Sequence, residues 1–395
     1  MIYLDNASTT KMSKTAIYTM IPYMDETYGN PSSLHSAGQK ASEALFSARC
    51  DIAQLIGCQP VEITFTSGGS EADNQAIISA ARIGEKKGKK HIVSTAFEHH
   101  AVLHTLDKLK KQGFDITLLD VGEDGIISPN QVSEAIRDDT CLVTVMYANN
   151  EIGTIQPIKQ IGQICRQKGV IFHTDAVQAA GHLHIDVNDQ NIDMLSLSAH
   201  KFHGPKGVGV LYAKKGIPLC NIIEGGAQER GKRAGTENVP AIMAMAAALK
   251  EACGNIDAVN EKLVALRDRL IDGLSKIPHS VLNGDAKNRL AGNVSFCFEG
   301  IEGESLLLLL DDKQICASSG SACTSGSLDP SHVLLAIGRP HEIAHGSLRL
   351  TLSEENTADE IEYTIKAVTE VVTYLRSISP VWRDLESGKQ QFIIK

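Results

Sequence analysis

Short apolar runs alternate with amphipathic stretches between about residues 60 and 215. The runs are rich in β-branched residues and predict seven strands, at 62–66, 91–95, 116–121, 141–148, 170–174, 194–198 and 207–212. Helical patterns lie between most of these strands, which predicts an α/β fold with a mostly parallel seven-stranded sheet flanked by helices. Ligands bind at the carboxyl ends of the strands in such sheets, so the residues that follow each run are candidates for a functional site.

The pattern changes beyond about residue 250. Apolar residues recur every three or four positions from Ile256 to Ile277, which predicts a long amphipathic helix. Strand-like runs follow at 293–298 and 347–352, and a capping box at Thr357 predicts the start of the last helix. This second part of the chain is therefore predicted to form a smaller α+β unit.

The length and composition of the chain limit its class. A chain of 395 residues is too long for one compact core, so we predict a large cofactor-binding domain, residues 16–249, and a smaller α+β domain, residues 1–15 and 250–395. The net charge of −9 argues against a nucleic-acid partner or an acidic membrane surface. No apolar stretch approaches the roughly 20 residues that span a bilayer, and no secretory signal is visible, so we expect a cytoplasmic protein.

The cysteines and histidines do not form a metal or disulfide pattern. The nine cysteines are scattered and contain no CxxC pair, so we expect reduced thiols. The 14 histidines form no set with a cysteine or carboxylate at ligand spacing. The sequence therefore predicts no metal site.

A glycine turn follows the strand at 62–66 and precedes a helix. The backbone N–H groups of Gly68, Gly69 and Ser70 would point at an anion, and the helix dipole would favour its negative charge. This signal is weak by itself, because such turns are common, and it matches no nucleotide-binding motif.

Two later strands end in groups that suit a pyridoxal cofactor. Asp175 ends an apolar strand, where it either caps a helix or supplies the counter-charge that keeps a ring nitrogen protonated; Gln178 could reach the same ligand. Lys201 follows the apolar strand that ends at Ser198. It is either a surface lysine or a desolvated amine suited to Schiff-base chemistry.

Seven ordered motifs together resemble the cysteine desulfurases of the NifS/IscS type, in the class-V branch of the pyridoxal-phosphate aminotransferases. The motifs lie at 66–74, 98–102, 149–153, 175–178, 198–207, 225–238 and 318–326. The resemblance runs from the first strand to the last helix. It implies the fold-type-I architecture of the pyridoxal-phosphate-dependent transferases and pyridoxal 5'-phosphate as the cofactor.

The resemblance also implies a role for each residue of the site. Lys201 would carry the cofactor as a Schiff base and move protons, Asp175 would pair with the pyridinium nitrogen, and His99 would stack on the ring and act in catalysis. Gln178 would contact the ring hydroxyl, and the phosphate would be held by Gly69, Ser70, Ser198 and His200. Thr236 would contact the phosphate of a second subunit. Asn150 and Arg349 would bind the substrate carboxylate, and Asn150 would also lie near the cofactor. The role of Thr236 implies a homodimer.

Cys323 is the predicted nucleophile. It lies in a run of small polar residues at 318–327 that cannot pack into a core, whereas Cys141 and Cys297 lie in apolar strands. An exposed thiol is a liability unless it is used. By resemblance, Cys323 would take the sulfur of L-cysteine as a persulfide, release L-alanine, and pass the sulfur to an acceptor protein such as an iron–sulfur scaffold.

Three alternatives remain open from the sequence. The same cofactor could support transamination or selenocysteine lysis, and a non-catalytic assembly scaffold could retain the fold. The combination of Lys201, Asp175, His99, Arg349 and Cys323 argues against a scaffold, which needs none of them. Near the carboxyl terminus, the only tryptophan, Trp382, either contributes to a docking surface or packs on its own domain.

Overall fold

The structure, a computed structural model, describes residues 1–319 and 330–394. Within these ranges the strands are, in chain order, β1 (Ile2–Tyr3), β2 (Ile63–Thr66), β3 (His91–Thr95), β4 (Asp115–Leu119), β5 (Thr140–Thr144), β6 (Ile171–Asp175), β7 (Met194–Ser198), β8 (Gly209–Ala213), β9 (Ser280–Leu282), β10 (Asn293–Phe298), β11 (Ile315–Cys316) and β12 (Ser347–Thr351).

The helices lie mainly between these strands. In chain order they are α1 (Lys14–Asp25), α2 (Ser36–Ile56), α3 (Gly69–Glu85), α4 (His100–Lys111), α5 (Pro129–Ala135), α6 (Ile158–Lys168), α7 (Val239–Gly254), α8 (Ile256–Leu274), α9 (Gly303–Asp312), α10 (His332–Ala336), α11 (His341–Ala344), α12 (Ala358–Ile378) and α13 (Pro380–Glu386). The capping box predicted at Thr357 is present at the start of α12, but α12 is not the last helix as predicted, because Pro380 begins α13 after it. Within the described ranges, no helix is both long enough and apolar enough to cross a bilayer.

The predicted seven-stranded sheet is confirmed. Its strand order is β2-β8-β7-β6-β5-β3-β4, and β8 is the one strand that runs antiparallel to its neighbours. The strand predicted at 141–148 ends earlier, at Thr144, because regular pairing of β5 with β6 stops at the Thr144–His173 pair. The carboxyl ends of β2, β3, β5, β6 and β7 therefore meet at one edge of the sheet.

Both faces of this sheet are buried. Leu142 and Met194 pack with side chains of α3 and α4, whereas the adjacent residues Val143 and Leu195 pack with α2, α6 and α7. Alternate residues of a strand point to opposite faces, so each buried strand needs apolar residues at successive positions. This requirement explains the continuous apolar runs of the sequence.

A second hydrophobic core surrounds a small antiparallel sheet with the order β12-β10-β9. Apolar side chains of α8, α9 and α12 pack on this sheet, and Leu4 of the amino-terminal segment joins them. β1 pairs in parallel with β11, while Ala16 of α1 lies in the core of the large sheet. The first residues of the chain therefore connect the two cores, next to the edge where the large strands end.

Candidate active site

A cavity of about 320 Å³ opens at the carboxyl edge of the large sheet. The amino-terminal segment and β12 close its other side. Its lining consists of Ala7, Ser8, Gly69, Ser70, Asp73, His99, Met146, Ala148, Asn150, Asp175, Val177, Gln178, Ser198, His200, Lys201 and Arg349. The structure thus brings together all of the predicted site residues except Thr236 and Cys323.

Lys201 enters the cavity from a short 3₁₀ turn, Ala199–Lys201, that directly follows β7. Its ammonium Nζ donates hydrogen bonds to the carbonyl oxygens of Ala7, at 2.6 Å, and Ser8, at 2.8 Å. These two amino-terminal residues were missed by the sequence analysis, because a backbone carbonyl leaves no mark on the residue type. They aim the amine across the cavity.

Asp175 is the last residue of β6 and is buried. Its Oδ1 accepts a hydrogen bond of 2.9 Å from the Val177 N–H. Burial raises the pKa of Asp175, while the Val177 N–H and the nearby Lys201 ammonium oppose this effect. Gln178, on the next turn, donates from Nε2 to the Ala7 carbonyl at 3.0 Å.

One end of the cavity has the features of an anion site. Gly69 and Ser70 begin α3, a helix of 17 residues whose N-cap, Gly68, provides no side-chain acceptor for the first N–H groups. Ser198 and His200 face the same place from the end of β7, and Lys206 lines the open cavity beside them. Uncapped N–H groups at a helix start bind anions such as phosphate.

His99 is the N-cap of α4, and this position fixes its ring. Its Nδ1 accepts a hydrogen bond of 3.1 Å from the Ala101 N–H, so the ring hydrogen of the neutral form lies on Nε2. Burial, reinforced by the Lys201 charge, lowers the pKa of His99 to about 4. The imidazole is therefore neutral near pH 7.

Arg349 reaches the cavity from β12. The guanidinium donates to the Asn150 carbonyl at 3.1 Å, to Asp5 Oδ1 at 3.0 Å and to Ser8 Oγ at 2.6 Å. Its Nε is buried and has no hydrogen-bond partner in the described part of the chain. A buried donor of this kind suits a carboxylate ligand.

Two predicted site residues lie elsewhere. Thr236 is exposed and does not line the cavity, which agrees with a contact across a subunit interface and does not test it. Cys323 lies outside the described residues. Its predicted role stays a prediction.

Asp73 was missed as a site residue, although it lies within the quoted motif at 66–74. It follows Gly69 by one helical turn, so both face the cavity, and this spacing is the signal that the sequence offered. Ligand atoms of Asp73, His99 and Asp175 lie within 4.8 Å of one another. The sequence analysis had predicted neither a metal site nor a role for Asp73.

Comparison with known proteins identifies the family of this chain. The sequence profile described as aminotransferase class-V matches residues 2–364. Over 393 residues the chain is 51% identical to a Clostridium botulinum protein named cysteine desulfurase IscS, with 99% of both chains covered. A Methanosarcina thermophila protein of the same name is 53% identical over 380 residues, which cover 96% of this chain and 94% of that protein.

Solved structures share the architecture. A protein described as NifS-like matches with a TM-score of 0.89 at 36% identity, covering 95% of this chain and 100% of the other. The family resemblance predicted from the seven motifs is confirmed by these matches. The chain therefore belongs to the class-V aminotransferase family.

Proposed function

We propose that this protein is a cysteine desulfurase that binds pyridoxal 5'-phosphate covalently through Lys201. The observation that carries the proposal is the convergence of Lys201, Asp175 and Arg349 on one cavity, from the turn after β7, the end of β6 and the middle of β12. The relatives named cysteine desulfurase IscS support the choice of L-cysteine as the substrate.

The cavity fits this cofactor. The uncapped start of α3, with Ser198 and His200, would hold the phosphate, and Asp175 would face the ring nitrogen. The neutral ring of His99 would lie against the cofactor ring, and Gln178 would face its hydroxyl. When bound, the cofactor supplies an electron sink that makes the Cβ–S bond of cysteine labile.

Arg349 and Asn150 would orient the substrate. Arg349 lines the cavity, its Nε has no hydrogen-bond partner in the described residues, and hydrogen bonds to Asp5 and Ser8 hold the guanidinium in place. Lys201 would then hold and move the Cα proton, because its amine reaches across the cavity to the Ala7 and Ser8 carbonyls.

Cys323 would take the sulfur. Its sulfur forms an S–S bond with the substrate sulfur as the substrate Cβ–S bond breaks, and the electrons of that bond stay with Cβ. The thiol hydrogen is balanced by the hydrogen gained at Cβ, so cysteine and one thiol become alanine and one persulfide. The persulfide would pass its outer sulfur to an acceptor protein, such as an iron–sulfur scaffold.

A homodimer would complete the site. Exposed apolar side chains lie on α1 and α2, with Tyr18 67%, Met24 63% and Phe46 62% exposed, and both helices pack on α7. Phe46 also lines a shallow surface cavity beside Gln228 and Glu237, on the segment that carries Thr236. A second copy covering this surface would bury the apolar side chains and bring Thr236 to the partner's cavity.

Phe46→Glu tests this interface, because it places a charge on the surface that the second copy would cover. Light scattering should show that the variant is a monomer. An unchanged dimer would place the interface elsewhere.

The proposed activity has a direct test. Protein loaded with pyridoxal 5'-phosphate and given L-cysteine should form alanine, together with an equal amount of sulfide when a dithiol reductant is present. Borohydride reduction followed by peptide mass spectrometry should find the cofactor attached at Lys201. Cys323→Ser should keep this label and lose sulfide release, whereas Cys316→Ser serves as the matched control and should keep both.

The alternatives give different results in the same experiment. Transamination would form a keto acid in place of alanine, and a scaffold would form neither product nor label. Selenocysteine added as a competitor separates the two lyase activities, because a selenocysteine enzyme would prefer it over cysteine. An unlabelled Lys201, or full sulfide release by Cys323→Ser, would contradict the proposal.

A further inference from the structure

Asp73 is a buried carboxyl group that the proposed reaction does not use. The residue is 1% exposed and lines the cavity from the second turn of α3. Its Oδ1 is buried and has no hydrogen-bond partner in the described ranges. The nearest ring nitrogen, His173 Nε2, lies 3.6 Å from it, and an oxygen of Asp175 lies within 4.8 Å of the Asp73 carboxyl.

His173 does not provide a counter-charge. Its Nδ1 and Nε2 are engaged by the hydroxyl groups of Thr144, at 2.8 Å, and Ser196, at 3.0 Å. Complete burial lowers the pKa of His173 to about 3, so the ring is neutral. Asp73 and His173 therefore do not form an ion pair, although they are neighbours.

The surroundings of the two aspartates differ. Asp175 receives the Val177 N–H and lies near the Lys201 ammonium, and both favour its ionised form. Burial raises the pKa of Asp73 well above its usual range, and the nearby Asp175 and Glu98 carboxyls add to this effect, while only the Ser196 hydroxyl opposes it. A single negative charge shared by the pair would thus lie on Asp175.

We propose that Asp73 is a positioning residue, held as a neutral carboxylic acid, that leaves Asp175 as the single ionised carboxyl facing the cofactor ring nitrogen. This inference rests on the proposed function. If Asp73 were ionised, its repulsion would favour a proton on Asp175, and a protonated Asp175 could not supply the counter-charge that the ring nitrogen requires. A neutral Asp73 therefore adds no negative charge to the site, although its carboxyl group lies within 4.8 Å of Asp175.

The protonation state can be measured directly. Infrared difference spectra of protein labelled with [13C]aspartate should show a protonated carboxyl band at pH 7, both without cofactor and with it, and Asp73→Asn should lose this band. The spectrum without cofactor does not depend on catalysis, so failure of the desulfurase assignment would leave this result standing. Absence of the band in the unaltered protein would overturn the inference.

Cofactor binding gives the second readout. Because an amide replaces a neutral acid of similar shape, Asp73→Asn should change the dissociation constant of pyridoxal 5'-phosphate by less than about threefold, whereas Asp175→Asn should weaken binding by more than about tenfold. The visible absorbance of Asp73→Asn should also keep its pH dependence. Loss of the cofactor by Asp73→Asn to the extent seen with Asp175→Asn would show that Asp73 is ionised, and would overturn the inference.

Discussion

Nη2 of Arg349 lies 3.0 Å from Oδ1 of Asp5, so an ion pair joins β12 to the amino-terminal segment. Arg349 is 3% exposed, and the same nitrogen also donates to the Ser8 hydroxyl. The residues that hold the guanidinium thus come from the segment that also accepts the Lys201 hydrogen bonds. The start of the chain therefore orients two charged groups of the cavity.

Asp5→Asn should reduce stability. The substitution leaves a buried guanidinium without its carboxylate, so we expect the free energy of unfolding to fall by about 1–3 kcal/mol. Urea denaturation followed by circular dichroism measures this change. Asp272→Asn, at an exposed position of α8, is the control and should have no effect. Equal stability of Asp5→Asn and the unaltered protein would show that the ion pair contributes nothing.

Arg349→Lys should weaken substrate binding. Lysine keeps the charge but loses the planar pair of donors that matches a carboxylate, so KM for L-cysteine should rise about 10- to 100-fold, with a smaller fall in kcat. Steady-state alanine formation gives both constants. Arg269→Lys, on the exposed face of α8, is the matched control. An unchanged KM for Arg349→Lys would remove this residue from the carboxylate site.

The buried Glu98 should make stability depend on pH. Burial raises its pKa from 4.5 to about 8, against the hydrogen bonds from the Met146 N–H and the Thr95 hydroxyl. The folded state therefore binds a proton that the unfolded chain releases above about pH 4.5. The stabilisation from this proton is complete below that pH and is lost as the pH rises through about 8.

Urea denaturation at several pH values tests this expectation. Between about pH 4.5 and 8, the loss of this one proton should lower the free energy of unfolding by about 1.4 kcal/mol for each unit by which the pH rises. Glu98→Gln should lower the slope by about this amount, and the buried Asp73, whose pKa is also raised, should account for part of what remains. Glu85→Gln, at a half-buried surface position, should leave the slope intact. A slope that is the same in Glu98→Gln and in the unaltered protein would assign the proton to another buried group.

Ser331→Ala should destabilise the protein around Glu151. The Ser331 hydroxyl donates to the buried Glu151 carboxylate and also accepts from the Val333 N–H at the start of α10. Loss of both interactions should lower the free energy of unfolding by about 2 kcal/mol. Ser331→Thr keeps the hydroxyl and should restore most of the loss, which thermal or urea unfolding would show. A threonine variant as unstable as the alanine variant would point to backbone strain instead.

Trp382 packs on its own chain. Its ring lies over the Arg376 guanidinium, 4.0 Å from the ring centroid, and contacts Phe392 and His279 edge-on. Trp382→Ala should therefore lower the free energy of unfolding by about 2–3 kcal/mol. Tyr374→Ala, an exposed residue of α12, is the control for urea denaturation. Unchanged stability of Trp382→Ala would favour the docking role that the sequence left open.

The sequence by itself determined the large sheet and much of the cavity. Buried parallel strands need apolar residues at successive positions, so the strand ends could be located, and with them Asp175, Ser198 and Lys201. The short strands β1, β9 and β11 were not predicted, because two or three residues carry no periodicity. Their pairing depends on the second core.

The tertiary structure alone decided what surrounds these groups. The carbonyls of Ala7 and Ser8 reach Lys201 only because the amino-terminal segment lies between the two cores, and a backbone carbonyl has no sequence signature. The protonation of Asp73 likewise depends on burial and on carboxyl neighbours that are distant in the chain. Residue type fixes which groups can ionise, but the distances set by packing decide which of them do.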